Sequence, residues 1–196
     1  MRKGSLIVIE GIDKSGKTTQ SKLLTKVLST NGIDCVRINF PDYSTPIGSE
    51  IKAFLNGNHN YPDEVKMMLL SANRWEKKNE IKNWLKEGKV IVMNRYYQSN
   101  LVYGVSKGLK LDWLIQLDKG MPKENLVILI NIDPITSSQR SKSKDQFESD
   151  FSLLKTVKKN YLAMAKRYGW VVVNGEKSRE NLKNEIISIV NKYIQF

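Results

Sequence analysis

Eight consecutive residues, Gly11-Ile12-Asp13-Lys14-Ser15-Gly16-Lys17-Thr18, carry the strongest chemical signal in the chain. They fit the pattern G-x-x-x-x-G-K-[ST], a loop whose successive backbone N–H groups turn inward and form a concave nest for phosphate. Gly11 and Gly16 permit backbone angles and close approaches that a Cβ would block. A helix starting near Lys17 adds its positive dipole end and its unpaired N–H groups. Lys17 has the reach to meet β- and γ-phosphates, and the Thr18 hydroxyl is a hard oxygen ligand of the kind Mg2+ accepts. These residue types point to a bound nucleoside triphosphate with Mg2+. They do not say where the γ-phosphate goes.

Such a loop works only between a strand and a helix, and the flanking sequence supplies both. Ser5-Leu6-Ile7-Val8-Ile9-Glu10 reads as a buried strand, and Thr18 to Asn31 reads as a helix closed by Gly32. Further along, β-branched apolar runs alternate with helical patterns. The strands expected are Leu6-Glu10, Asp34-Phe40, Val90-Asn94, Leu126-Ile132 and Trp170-Val173. The helices expected are Lys17-Asn31, Ile47-Asn56, Asp63-Glu87, Tyr97-Lys107, Trp113-Lys119, Ile135-Ser141, Phe147-Tyr168 and Arg179-Ile194. Leu126-Val127-Ile128-Leu129-Ile130 is continuously apolar, as a strand covered on both faces must be. Gly32, Gly88 and Gly169 each close a helix just before a strand. The pattern predicts an α/β fold, a five-stranded parallel sheet flanked by helices, with ligands at the carboxyl ends of the strands.

A second group of residues falls at those same ends. Phe40-Pro41-Asp42-Tyr43 follows strand two, Ser71-Ala72-Asn73-Arg74-Trp75-Glu76 lies within the long helix, and Asn94-Arg95-Tyr96-Tyr97-Gln98-Ser99-Asn100, then Tyr103, follows strand three. Phosphoryl transfer is mostly positioning and charge neutralisation. Arg95, at a strand end, is placed to fork onto a second phosphate. Phe40, Arg74, Asn100 and Tyr103 supply the planar contacts and directed hydrogen bonds that a base needs. Each also has a plainer reading: Arg74 as the partner of Glu76 or a neighbour, Phe40 and Tyr103 as core aromatics. The stretch Ser137 to Asp145 is polar, serine-rich and basic. It reads equally as a flexible connection and as a mobile lid carrying cations.

Composition narrows the classes. The chain has 196 residues, is 40% hydrophobic and suits one domain, 1–196, with a substantial core. No segment approaches 18 uninterrupted apolar residues, so no membrane span is expected, and Met1-Arg2-Lys3-Gly4 leaves no room for a signal peptide. Cys35 is the only cysteine, which suits a reducing, cytoplasmic setting and excludes an intrachain disulfide. His59 is the only histidine and lies in turn-forming sequence, which argues against a His-based triad or multi-His metal site. The formal net charge is +12, but the cations are scattered over several helices without a compact block. They read as solvated faces and a general field attracting nucleotides rather than as a nucleic-acid interface.

At these residues the chain resembles the thymidylate kinase family. The resemblance rests on Glu10 to Gln20, Phe40-Pro41, Ser71-Ala72-Asn73-Arg74-Trp75-Glu76, Arg95-Tyr96 with Ser99 and Tyr103, Lys107-Gly108, and Gly120-Met121-Pro122. It implies a three-layer P-loop kinase fold with a short helical lid, about 137–150, and transfer of the ATP γ-phosphate to dTMP by a homodimer using Mg2+. By the same resemblance Gly11, Ile12, Asp13, Lys14, Ser15, Gly16, Lys17, Thr18 and Thr19 bind ATP, and Thr18 holds the metal. Asp13, Phe40, Tyr43, Leu70, Arg74, Arg95, Asn100 and Tyr103 bind dTMP: Asp13 at the sugar 3′-hydroxyl, Tyr43 and Arg95 at its phosphate, Arg74 and Asn100 at the thymine edge, Tyr103 against a ribose 2′-hydroxyl. Lys14, Lys17, Arg95 and Arg140 are the expected catalytic cations, with Lys142 and Lys144 as further lid candidates. Asp145-Gln146-Phe147-Glu148 resembles the family's acidic-aromatic lid end. Three positions depart from the family pattern. Asn94 stands where an aspartate is usual, which predicts weaker Mg2+ dependence or a slower chemical step than an aspartate version. Leu70 stands where a phenylalanine stacks on thymine, a loss of roughly 1 kcal/mol that loosens base selectivity. Asp42 follows Phe40-Pro41 where some relatives carry a basic residue.

Overall fold

A computed structural model describes residues 4–140 and 147–194. Five strands, β1 (Ser5–Glu10), β2 (Cys35–Asn39), β3 (Val90–Asn94), β4 (Leu126–Asn131) and β5 (Val171–Asn174), form one sheet in the order β2-β3-β1-β4-β5. Every pairing is parallel; Ile9 of β1 registers with Asn94 of β3 on one side and Ile128 of β4 on the other. Successive strand residues point to opposite faces. Leu6, Ile7, Val8 and Ile9 are nevertheless all fully buried, so both faces of β1 are covered. Burial of each such side chain contributes about 1.5–3 kcal/mol.

Nine helices are described: α1 (Lys17–Thr30), α2 (Pro46–Leu55), α3 (Asp63–Glu76), α4 (Lys78–Lys86), α5 (Tyr97–Ser106), α6 (Leu111–Leu117), α7 (Pro134–Gln139), α8 (Phe147–Tyr168) and α9 (Arg179–Ile194). α1 packs on β1, β2 and β3 with α9 beside it, while α5 and α8 pack on one another and α8 reaches β4. Gly32, Gly88 and Gly169 all take positive φ after α1, α4 and α8. No helix among the described residues is long and apolar enough to cross a membrane.

The sequence pattern is corrected at three places. The helix expected over Asp63–Glu87 is two helices, α3 and α4, divided at Lys77. There the Lys77 N–H bonds back only to the Arg74 carbonyl, three residues away, and the α-ladder lapses. α2 starts one residue before the expected Ile47 because Thr45 caps it, its hydroxyl accepting from the Gly48 N–H at 2.9 Å with Pro46 in the first turn. α6 runs from Leu111, ahead of the expected Trp113, and ends at Leu117.

The strand order places the site. β1 lies between β3 and β4, so the chain turns to one side after β1 and to the other after β3. The crevice that opens at such a reversal is where open parallel sheets bind ligands. The loop after β1 and the Asn94-Arg95 end of β3 both open into it.

Candidate active site

The phosphate loop is built on close approaches. Gly11 sits at φ 148, and a Cβ there would lie 2.6 Å from the Ile130 carbonyl oxygen of β4. Gly16, at φ 101, stands at the N-cap of α1, which has no side-chain cap and no acidic residue in its first turn. Its leading N–H groups and dipole are left for an anion. Lys17 is buried, and its Nζ folds back to donate to the Ile12 carbonyl at 2.6 Å and Ser15 Oγ at 3.5 Å. Burial pushes the Lys17 amine down to about 7, and the nearby Arg95 charge pushes the same way. Thr18, Thr19, Lys14 and Arg140 line the same cleft. Arg140 Nη1 donates to the Lys14 carbonyl at 3.3 Å and Nη2 to the Gly175 carbonyl at 3.4 Å, tying the end of α7 to the loop. Lys142, Lys144, Asp145 and Gln146 lie outside the described residues, as do the side chains of Phe147 and Glu148.

Arg95 stands where this cleft meets a second pocket. Its backbone takes φ 66, unusual for a residue with a Cβ. Its Nη2 pairs with Asp13 Oδ1, and its guanidinium lies over the Tyr103 ring, 5.5 Å from the centroid. The Arg95 charge holds the Asp13 carboxyl below the usual carboxylate range. Tyr103 hydroxyl donates to Asp13 Oδ2 at 3.4 Å, and burial pushes this phenol up to about 12. The second pocket is lined by Asp13, Phe40, Tyr43, Leu70, Arg74, Arg95, Asn100 and Tyr103, together with Pro41, Leu55, Tyr96 and Ser99. Every residue expected on the acceptor side is therefore in one place.

Several of these side chains are already engaged in ways the sequence does not show. Arg74 pairs not with Glu76 but with Asp118, Nε to Oδ1 at 2.8 Å and Nη2 to Oδ2 at 2.7 Å, with both side chains nearly fully buried. This fork fixes the guanidinium plane and leaves Nη1 for the pocket. Asn100 Nδ2 donates to the Met67 carbonyl at 2.9 Å, so its contribution to the pocket is an acceptor, Oδ1. Phe40 is a buried wall, stacked on Tyr96 at 6.0 Å between centroids. The loop carrying Tyr43 is held by Asn73. Its Oδ1 accepts from the Asp42 N–H at 2.8 Å, and its Nδ2 lies within hydrogen-bond reach of the Asp42 carbonyl, Thr45 and Glu76. Asp42 turns its carboxylate to the Ser44 N–H and hydroxyl and to Lys77, away from any acceptor role in the pocket.

Asn94 is the residue nearest Thr18 on the β3 side. Its Nδ2 donates to Thr18 Oγ1 at 3.1 Å and to Asn39 Oδ1 at 3.2 Å, while Arg37 Nη1 also donates to Asn39 Oδ1. The Asn94 Oδ1 is thereby turned the other way, buried and without a hydrogen-bond partner among the described residues. In this orientation the amide nitrogen, not Oδ1, faces Thr18 Oγ1; Thr18 Oγ1 is the hard oxygen here that fits Mg2+ or one of its water ligands, and Asn94 Oδ1 would join it only with the amide turned over.

Asn39, Asp118 and Tyr161 are neighbours of the site that the sequence reading did not name, and Glu10 and Asn73 it named within motifs without giving them a task. Four depend on contacts between residues far apart in the chain. Glu10 did carry a signal: a lone carboxylate closing an otherwise apolar strand, next to the phosphate loop.

A parallel sheet of this order with its phosphate loop at the reversal point places the chain among the P-loop kinases. The family model described as thymidylate kinase matches residues 9–186. The thymidylate kinase of Plasmodium falciparum is 34% identical over 97% of this chain and 91% of its own length. That of Schizosaccharomyces pombe is 31% identical over 96% and 92%. A solved thymidylate kinase structure from Candida albicans superposes with a TM-score of 0.86 at 30% identity, covering 97% of this chain and 92% of that one. The chain belongs to the thymidylate kinase family.

Proposed function

We propose that the chain transfers the γ-phosphoryl group of ATP to dTMP, giving dTDP and ADP, as a Mg2+-dependent cytoplasmic homodimer serving dTTP synthesis. One observation carries the reading. The phosphate-loop cleft and the apolar pocket share Asp13, Phe40, Pro41, Tyr43 and Arg95 along their border. A triphosphate on the loop and a monophosphate in the pocket therefore meet end to end, with Arg95 between them.

Each residue then has a task. Gly11 to Thr19 hold the ATP phosphates, with Lys17 and Lys14 supplying positive charge to the group in transit. Arg140 closes from α7. Arg95 and Tyr43 take the dTMP phosphate, and Asp13 the sugar hydroxyl. Arg74 Nη1 donates to a thymine carbonyl and Asn100 Oδ1 accepts from the ring N–H, a complementary pair that suits an imide edge. Leu70 and Phe40 sandwich the base by apolar contact. Thr18 Oγ1, with Asn94 beside it, would hold Mg2+, which when bound neutralises phosphate charge. Transfer between prepositioned phosphates requires no covalent protein intermediate, so exclusion of water and charge placement carry the rate.

ADP release measured in a coupled assay over dTMP, dUMP, UMP, dGMP and GMP tests the assignment. ADP forms with dTMP at a rate well above that with GMP or dGMP, needs Mg2+, and is not raised by DNA. ADP formation independent of dTMP, or driven by DNA alone, would overturn it.

A further inference from the structure

Arg95 is gripped from behind as well as presented to the cleft. A guanidinium carries five N–H donors in a fixed fork. Those on Nη1 go to Ser99 Oγ at 2.9 Å and to the Tyr161 hydroxyl at 3.3 Å, while Nη2 meets Asp13. Both hydroxyls rest in turn on one carboxylate oxygen: Ser99 Oγ lies 2.7 Å and Tyr161 Oη 2.9 Å from Glu10 Oε2. Glu10 is wholly buried, and its other oxygen accepts from the Tyr96 N–H at 2.9 Å and the Ser99 N–H at 3.2 Å. The two hydroxyls also touch each other at 3.2 Å. Bonds to a charged acceptor are the stronger ones, so both hydroxyl protons point at Glu10 and both sets of lone pairs face Arg95. The polarity of the network is thus fixed, from Arg95 through two hydroxyls to a buried charge.

Tyr161 enters this network from α8, the helix that follows the segment after Arg140. Its ring packs edge-on against Tyr103, 6.3 Å between centroids, and it is 1% exposed. Neither its burial nor the sheet core requires a hydroxyl; a phenylalanine would fill the same volume. Burial and the Glu10 charge both raise the phenol well above its ordinary value, so it stays protonated and keeps donating.

We propose that Tyr161 is a positioning residue: its hydroxyl, oriented by Glu10, sets the plane in which Arg95 offers its remaining Nη2 and Nε donors to the phosphate of the acceptor nucleotide. This rests on the reading that Arg95 meets that phosphate.

Tyr161→Phe removes one oxygen and keeps the ring. Calorimetric binding of dTMP and of thymidine, which lacks the phosphate, separates positioning from packing. In the variant the dTMP Kd rises about tenfold while the thymidine Kd stays within about twofold, and kcat falls by a similar tenfold. Ser99→Ala, which removes the other acceptor on Nη1, shows the same split and decides the matter alone if Tyr161→Phe fails to fold. Equal weakening of dTMP and thymidine, or no change in either, would overturn the proposal. Should the unaltered protein itself bind dTMP no better than thymidine, the phosphate role of Arg95 fails instead.

Discussion

Lys17 and Asn94 line the same cleft and are tuned in opposite ways. Lys17 is a buried amine whose Nζ rests on a carbonyl. Its amine is held near 7 in the ligand-free protein, far below the ordinary lysine value of about 10.4. Between those values the unfolded chain binds the proton that the folded chain lacks. This group therefore makes ligand-free stability rise from about pH 7 to about pH 10, with no contribution to the slope below 7. An anion restores the charge. ATP binding at pH 8 is accordingly accompanied by uptake of up to one proton, read from the dependence of calorimetric enthalpy on buffer ionisation enthalpy; zero uptake would contradict the buried-neutral state. Asn94, by contrast, is uncharged and presents its amide nitrogen to Thr18 Oγ1. Asn94→Asp would supply the missing charge but face the Asn39 Oδ1, which now accepts from Asn94 and Arg37. A charged contact of roughly 1.5 kcal/mol lowers the Mg2+ concentration for half-maximal rate about tenfold. An unchanged Mg2+ optimum together with an unchanged kcat would remove Asn94 from the metal side altogether. The phosphate-loop pattern sufficed to single out Lys17, and the family resemblance singled out Asn94 as a departure from the usual aspartate. Neither could show the amide orientation of Asn94, which is set from Asn39 and Arg37 on a neighbouring strand.

At the level of elements, the readable parts were those with local causes. Continuous β-branched runs give strands because they must be buried on both faces, and all five strands lie within one or two residues of the sequence reading. Capping chemistry marks the start of α2 and glycine the ends of α1, α4 and α8. The division of α3 from α4 at Lys77 had no such mark: Trp75-Glu76-Lys77-Lys78 contains neither glycine nor proline. The end of α3 is instead held by distant partners, with Trp75 Nε1 on the Leu117 carbonyl at 2.9 Å and Arg74 on Asp118. The strand order is invisible for the same reason, since pairing across the sheet joins residues from 43 apart (Ile128 with Val171) to 119 apart (Ile7 with Leu126). The consequence reaches the site. α3 carries Leu70 and Arg74 to the pocket, and Asn73 of the same helix holds the Tyr43 loop to it. α3 is thus anchored both at the α6 end and at this loop.

The whole molecule carries a formal charge of +12, yet its described cations are dispersed and several pair locally, as Lys77 does with Asp42, Lys107 with Asp63 and Lys158 with Asp133. Exposed pairs of this kind contribute little to stability. The surplus charge sets two copies of the chain against each other, which bears on the proposed homodimer. Met68 and Trp75 are 46% and 36% exposed and lie seven residues apart on one face of α3. Ile115 of α6, 37% exposed, lies on the helix that Trp75 grips through the Leu117 carbonyl. In a two-fold dimer both copies contribute these three side chains, and burying the part of each that is still exposed yields roughly 4–7 kcal/mol, comparable to the lower range of the entropic cost of association. The balance is close enough for charge to decide it. Light scattering should give twice the mass of one chain, with association tightening as salt rises above about 0.1 M and screens the repulsion. Met68→Glu should leave the circular dichroism of the fold intact and return the mass of a single chain, because a buried carboxylate without a partner costs several kcal/mol. A native protein that runs as a single chain at all salt concentrations would refute the homodimer, and a Met68→Glu variant that stays double would move the interface off the α3 face.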